Sequence, residues 1–170
     1  MNESTTDRAR VHAAGFEHAE SIVELIRAYP DELLPRPLGD IVQNIDRFLV
    51  CEVDGKVAGA VSWQILPEIG APRDPSVEIK SLAVRPEFCG SGLGRMLVEE
   101  AVKHIRVLHP TQIIVLTFCP GFFRKLGFSE TPKAGLIHKI YTGCIACTKY
   151  DSPFTCPEVA MQLKLREPSA

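Results

Sequence analysis

The chain has 170 residues, 45% of them apolar and 24% charged, with a net charge of −2. That is the balance of a soluble globular protein large enough to bury a core, and it predicts one domain over residues 8–170. No basic field marks a nucleic-acid or anionic-membrane partner. No apolar run reaches the ~20 residues of a membrane span, and the polar N-terminus lacks a signal core, so the chain reads as cytoplasmic.

Residues 1–7 read as disordered and 8–13 as a first strand. From Gly15 to Tyr29, Phe16, Ala19, Ile22, Val23 and Ile26 recur at helical spacing, and Pro30 stops that helix. Two prolines precede a short helix from about Leu38. FLVCEV, Asp54-Gly55 and KVAGAVSWQIL predict a hairpin closed by a type I′ turn. VEIKSLAV is a strand. Leu93–Val107 is a helix burying Leu97, Val98, Ala101, Val102 and Ile105. QIIVLTF is an apolar strand of a sheet centre. PGFFRKL is a short helix with Gly127 as its cap. Residues 131–157 read as irregular, and EVAMQLKL closes the chain as a strand.

Six cysteines stand at 51, 89, 119, 144, 147 and 156. Without a signal peptide they are read as thiols, and Cys51 as a core residue. Cys144-x-x-Cys147 with Cys156 and His138 could form a Cys₃His zinc site. The spacing is irregular and a second C-x-x-C is missing, so no metal is assigned. The plainer reading is a loop of buried or half-buried thiols at the mouth of a site, where Lys139 and Lys149 could bind an anionic substrate.

The chemistry concentrates at Gly90, Gly92 and Gly94, which follow a strand and a Pro turn and open a helix. Backbone N–H groups at such a helix start can seat a diphosphate. A dinucleotide fold would place its glycine loop after the first strand, and this loop comes mid-chain. Arg95-Met96 stands where a nucleotide P-loop has Lys-Ser/Thr. A ligand-free tight turn is the remaining alternative, though three glycines would then cost entropy without a packing return.

Leu82-Ala83-Val84-Arg85-Pro86 followed by Cys89-Gly90-Ser91-Gly92-Leu93-Gly94 resembles motif A of the Gcn5-related N-acetyltransferases. Phe122-Phe123-Arg124-Lys125-Leu126-Gly127-Phe128 resembles a second landmark of that family. The resemblance spans roughly residues 8–166. It implies an α/β fold, with a mixed sheet of about six or seven strands flanked by helices. It also implies acetyl-CoA as co-substrate, with its pyrophosphate on the main-chain N–H groups of the loop. The cofactor residues would be Leu82, Ala83, Val84, Cys89, Gly90, Ser91, Gly92, Leu93, Gly94 and Arg95. Cys89 departs from the family's Arg or Gln, and Phe123 from the Tyr that many members use as acid.

Leu33-Leu34-Pro35-Arg36, the strand from Glu78 to Val84, Val115-Leu116-Thr117 and the tail from His138-Lys139 to Met161 are similar to single-domain amino-acid acetyltransferases that make N-acetylglutamate. That resemblance implies a small-molecule amine acceptor, with Glu78 as base through a water and backbone N–H groups after Leu82 as oxyanion donors. Thr117 is a possible proton donor; its alternative is a plain β-branched strand residue. Arg36, Lys80 and, more weakly, Arg47 would hold substrate carboxylates. The alternative for each cation, and for Glu78, is a surface charge. Other acceptors remain open (another amino acid, a polyamine, a protein N-terminus), as does a non-catalytic acyl-CoA-binding module. Many members of the family dimerise, so a homodimer is possible.

Overall fold

The computed structural model describes residues 5–169. Thr5–Arg8 forms a 3-10 turn that takes in the end of the stretch expected to be disordered and Arg8, expected to open the first strand, while residues 1–4 of that expectation lie outside the described residues. Seven strands follow: β1 (Ala9–Ala13), β2 (Phe48–Val53), β3 (Lys56–Leu66), β4 (Ser76–Val84), β5 (Gln112–Thr117), β6 (Ser129–Glu130) and β7 (Val159–Lys164). Their order in the sheet is β1-β2-β3-β4-β5-β7-β6. The β4–β5 pair is parallel, and the pairs β1–β2, β2–β3, β5–β7 and β6–β7 are antiparallel, so the sheet is mixed as expected. The helices are α1 (Ala19–Arg27), α2 (Leu38–Gln43), α3 (Leu93–Arg106), α4 (Pro120–Arg124) and the single turn α5 (Ile137–Lys139).

The backbone divides into two compact units, residues 1–63 with 79–104, and residues 64–78 with 105–170. In the first, Ile22, Leu25 and Ile26 of α1 and Ile41 of α2 pack with Phe48, Val50 and Ala60. Asp54 (φ 51°) and Gly55 (φ 73°) are both left-handed, which a type I′ turn requires. Cys51 is fully buried, and burial pushes its thiol up to about 11. Gly59 is where β3 backs onto its neighbours: a Cβ there would lie 2.9 Å from Leu97 Cδ1 and 3.0 Å from the Ala83 carbonyl oxygen.

Residues Phe16–His18 form a 3-10 turn rather than the start of α1, and this swings Phe16 out to 69% exposure. The expected apolar stripe therefore begins at Ala19. Helix α3 ends at Arg106, leaving Val107 exposed, and Val102 is only half-buried.

In the second unit, Leu66, Ile114, Leu136 and Ala160 form the core. Strand β5 has β4 on one side and β7 on the other, so its apolar run does belong to a sheet interior. Phe118 lies beyond its end. Gly127 (φ 90°) closes α4: its N–H reaches the Arg124 carbonyl at 3.1 Å and the Phe128 N–H reaches that of Phe123 at 3.2 Å. The stretch expected to be irregular carries a 3-10 turn (Lys133–Gly135), α5 and a π-turn (Ile140–Cys144). No helix among the described residues is long and apolar enough to cross a membrane.

Candidate active site

Strand β4 leads from Glu78 through Lys80 to the glycine loop. Ser81 is left-handed (φ 54°), a conformation that costs a non-glycine residue roughly 1–2 kcal/mol and bends a strand locally. Past Val84 the chain is tied down by Arg85, whose backbone N–H reaches the Ala58 carbonyl and whose Nε reaches that of Val57, both at 2.7 Å. Gly90 (φ 80°) and Gly92 (φ 92°) are left-handed, which explains two of the three glycines. The first α3 hydrogen bond runs from the Met96 N–H to the Gly92 carbonyl at 3.1 Å. The N–H groups of Leu93, Gly94 and Arg95 therefore precede the helical ladder and face out of the N-terminus. Ser91 Oγ is turned inward, donating to the Phe88 carbonyl at 2.5 Å.

Cys89 is exposed and its Sγ lies 3.5 Å from Tyr29 Oη. Tyr29 also donates to the Val84 carbonyl. Burial, then the contact with Cys89, pushes the phenol up to about 12, so it remains protonated at neutral pH. A side chain that turns to Tyr29 is compatible with a phosphate seat made of main chain.

Arg36 is not the solvated charge that its sequence alone would allow. Its side chain is 13% exposed; Nε donates to Asp40 Oδ2 at 2.5 Å, and Nη1 to Ser62 Oγ at 3.2 Å and Ser81 Oγ at 3.4 Å. The guanidinium carbon stands 4.9 Å over the Phe48 ring. Four neighbours thus fix one cation in place. Ser62 in turn donates to the Lys80 carbonyl at 3.1 Å. Lys80 and Arg47 are half-buried.

Glu78, at 4% exposure, is no surface carboxylate. Its register partner on β5 is Ile114. Lys139 Nζ meets it at both oxygens, 2.7 Å from Oε1 and 2.9 Å from Oε2. Burial, the largest single influence, lowers the lysine pKa; the charge and hydrogen bond of Glu78, with Cys144 and Glu158, raise it, and the net displacement is upward. Lys139 and Lys133 also line a small apolar pocket with Leu116, Leu136, Ile140 and Cys144. Burial pushes up the pKa of Cys144, Cys156 and Glu158, so both thiols are held protonated. Cys156 Sγ donates to Glu158 Oε2 at 3.5 Å. In the sequence Lys139 is offered as a possible binder of an anionic substrate; its contact with Glu78 spans 61 residues, beyond any local pattern.

Thr117 is buried, and its Oγ1 accepts the Cys119 N–H at 2.9 Å, which leaves the hydroxyl proton to be donated elsewhere. Phe123 is buried edge-on against Phe122 and Phe128 at 5.0 and 5.4 Å. Cys144, Cys147, Cys156 and His138, to which the sequence assigned no metal, are not among the metal-capable groupings of the described residues. His138 Nδ1 faces Glu68 Oε2 at 3.0 Å instead, and the metal-capable grouping there is His12, His18 and Glu52.

A family model of the acetyltransferase (GNAT) domain matches residues 44–130. An uncharacterized N-acetyltransferase of Chlorobaculum tepidum is 32% identical over 153 residues, covering 89% of this chain and 93% of that protein. The chain belongs to the GNAT acetyltransferase family. It is an N-acetyltransferase, which removes the non-catalytic module as a reading. An amino-acid acetyltransferase of Mycobacterium tuberculosis is 28% identical over 89% of this chain and 85% of its own length. The N-acetylglutamate synthase of Neisseria gonorrhoeae, solved with coenzyme A and N-acetylglutamate, superposes with a TM-score of 0.74. That match has 19% identity over 94% of this chain and 35% of the other, and it establishes the shared fold.

Proposed function

We propose that this GNAT enzyme transfers an acetyl group from acetyl-CoA to the α-amine of a free amino acid, with L-glutamate the preferred acceptor. The observation that carries the reading is a buried carboxylate, Glu78, held in one orientation on β4 beside the sequence that leads into the glycine loop. The relationship to an amino-acid acetyltransferase over most of both chains supports the acceptor class. The left-handed glycines and the N-terminus of α3 support a pyrophosphate seat for acetyl-CoA.

In this mechanism Glu78 takes a proton from the substrate ammonium through a water. The freed amine attacks the thioester carbonyl, the C–N bond forms, and backbone N–H groups at the end of β4 stabilise the oxyanion. The C–S bond then breaks, Thr117 gives its hydroxyl proton to the leaving thiolate and recovers the second proton of the nitrogen, and Glu78 releases the first to solvent. Lys139, bonded to both of its oxygens, keeps Glu78 aimed. Arg36 and Lys80 hold the acceptor's carboxylates. Six unpaired thiols suit a reducing compartment, which supports a cytoplasmic enzyme feeding arginine biosynthesis.

Thiol release from acetyl-CoA, measured against a panel of amines, tests the reading. Turnover with glutamate that falls tenfold or more in Glu78→Gln is expected. Turnover confined to a polyamine or a peptide N-terminus would overturn the amino-acid assignment.

A further inference from the structure

We infer that His12, His18 and Glu52 form a binding site for a divalent transition-metal ion of the zinc class, separate from the acetyl-transfer chemistry. His12 lies on β1, the first strand of the sheet order, and Glu52 on β2 just past the irregularity between Cys51 and Glu52. His18 ends the 3-10 turn before α1. All three are half-buried, and their ligand atoms lie within 4.8 Å of one another.

The separations decide what the cluster is for. Glu52 Oε2 is 3.4 Å from His12 Nε2, and Glu52 Oε1 is 3.5 Å from His18 Nε2. Both exceed the ~2.7–3.2 Å of a good hydrogen bond and become ion pairs only where the imidazole is protonated, so neither contact saturates the groups. Each is close to the ~3.4 Å edge of a tetrahedron built on metal bonds of ~2.1 Å, one histidine facing each carboxylate oxygen. Two imidazoles and one carboxylate are the borderline donor set that zinc-class ions take, with water completing the shell.

His12 is already set for ligation. Its Nδ1 lies 2.9 Å from the Ala13 carbonyl, which can only accept, so the proton sits on Nδ1 and the Nε2 lone pair faces Glu52. His18 must change tautomer. Its Nδ1 accepts the Gly15 N–H at 2.8 Å, so the neutral ring carries its proton on Nε2. On metal binding that proton is lost to solvent from Nε2 and one is taken up at Nδ1, leaving the ring's charge unchanged. The Gly15 N–H then loses its acceptor and must turn away, and Glu17 Oε1, 3.9 Å from Nδ1, is the carboxylate placed to take the new N–H. Arg10, opposite Glu52 across the β1–β2 ladder, is the cation that an ion has to coexist with. The bound ion would staple the 3-10 turn to the sheet edge.

Titration of the metal-free full chain with Co²⁺, followed by its visible bands and by Zn²⁺ competition, tests this. One equivalent is expected, with nitrogen–oxygen bands and no sulfur-to-cobalt charge transfer. His12→Gln and Glu52→Gln should each weaken it tenfold or more, and the combined Cys144→Ser, Cys147→Ser, Cys156→Ser variant should not. Paramagnetic broadening of the His12 and His18 ring protons in the unsubstituted protein gives a readout independent of any variant's folding. No saturable uptake, uptake that survives both His12→Gln and Glu52→Gln in folded protein, or uptake lost with the cysteines would overturn the proposal.

Discussion

Lys139 Nζ closes on both carboxylate oxygens of Glu78, at 2.7 and 2.9 Å, with both side chains largely withdrawn from water. Breaking a buried pair by removing one partner strands a charge and typically costs about 3–5 kcal/mol. Lys139→Met is therefore expected to lower stability by a few kcal/mol, read by denaturant unfolding, while Lys139→Met with Glu78→Gln recovers much of the loss. Because the folded-state pKa of Lys139 is raised, the pair's contribution is fully present below the ordinary lysine pKa. It fades as pH climbs through the raised value. An unfolding series from neutral to strongly alkaline pH should show this loss in the parent and not in the double variant.

Arg36 is oriented by Asp40, Ser62 and Ser81, and a planar guanidinium so fixed can grip a carboxylate with two parallel bonds. Lysine cannot reproduce that fork. Arg36→Lys should raise KM for the proposed acceptor, glutamate, at least tenfold and leave KM for acetyl-CoA within about twofold, on the affinity scale of about 1.4 kcal/mol per decade. An equal rise in both constants would assign Arg36 to scaffolding alone.

Much of this was legible before any coordinates, and the reasons are local. Asp54-Gly55 and Gly127 announce left-handed backbone by residue type, and the α3 stripe repeats over fourteen residues. What escaped the sequence is either short or long-range. The two-residue β6 has no period to detect. Phe16 sits at helical spacing, yet a 3-10 turn rotates it outward. Ser81 adopts a positive φ that its residue type does not favour. Glu78 could be chosen from the sequence, but Lys139, its partner, could be found only by folding the chain.

Phe123 stands where many members of the family carry a tyrosine acid, and its ring is wedged edge-on between Phe122 and Phe128. Adding a hydroxyl there would bury it without a partner, at a cost of roughly 1–3 kcal/mol. Phe123→Tyr is expected to lower Tm and give no increase in kcat. A rate gain would overturn the proposed role of Thr117 as general acid and place that role here.

Two glycine substitutions separate the scaffold from the phosphate seat. At Gly59 a methyl group would press on Leu97 Cδ1 and the Ala83 carbonyl, in a place where backbone cannot yield, so Gly59→Ala should destabilise by about 1–3 kcal/mol. At Gly90 the space is open and only the φ of 80° resists a side chain, a smaller penalty of about 1 kcal/mol. Gly90→Ala is therefore expected to stay folded at 25 °C while the loop backbone shifts to relieve its dihedral. Main-chain N–H groups then lose their aim, and acetyl-CoA affinity measured by calorimetry should fall several-fold more than stability does. Unchanged affinity in folded Gly90→Ala would detach the glycine loop from the cofactor.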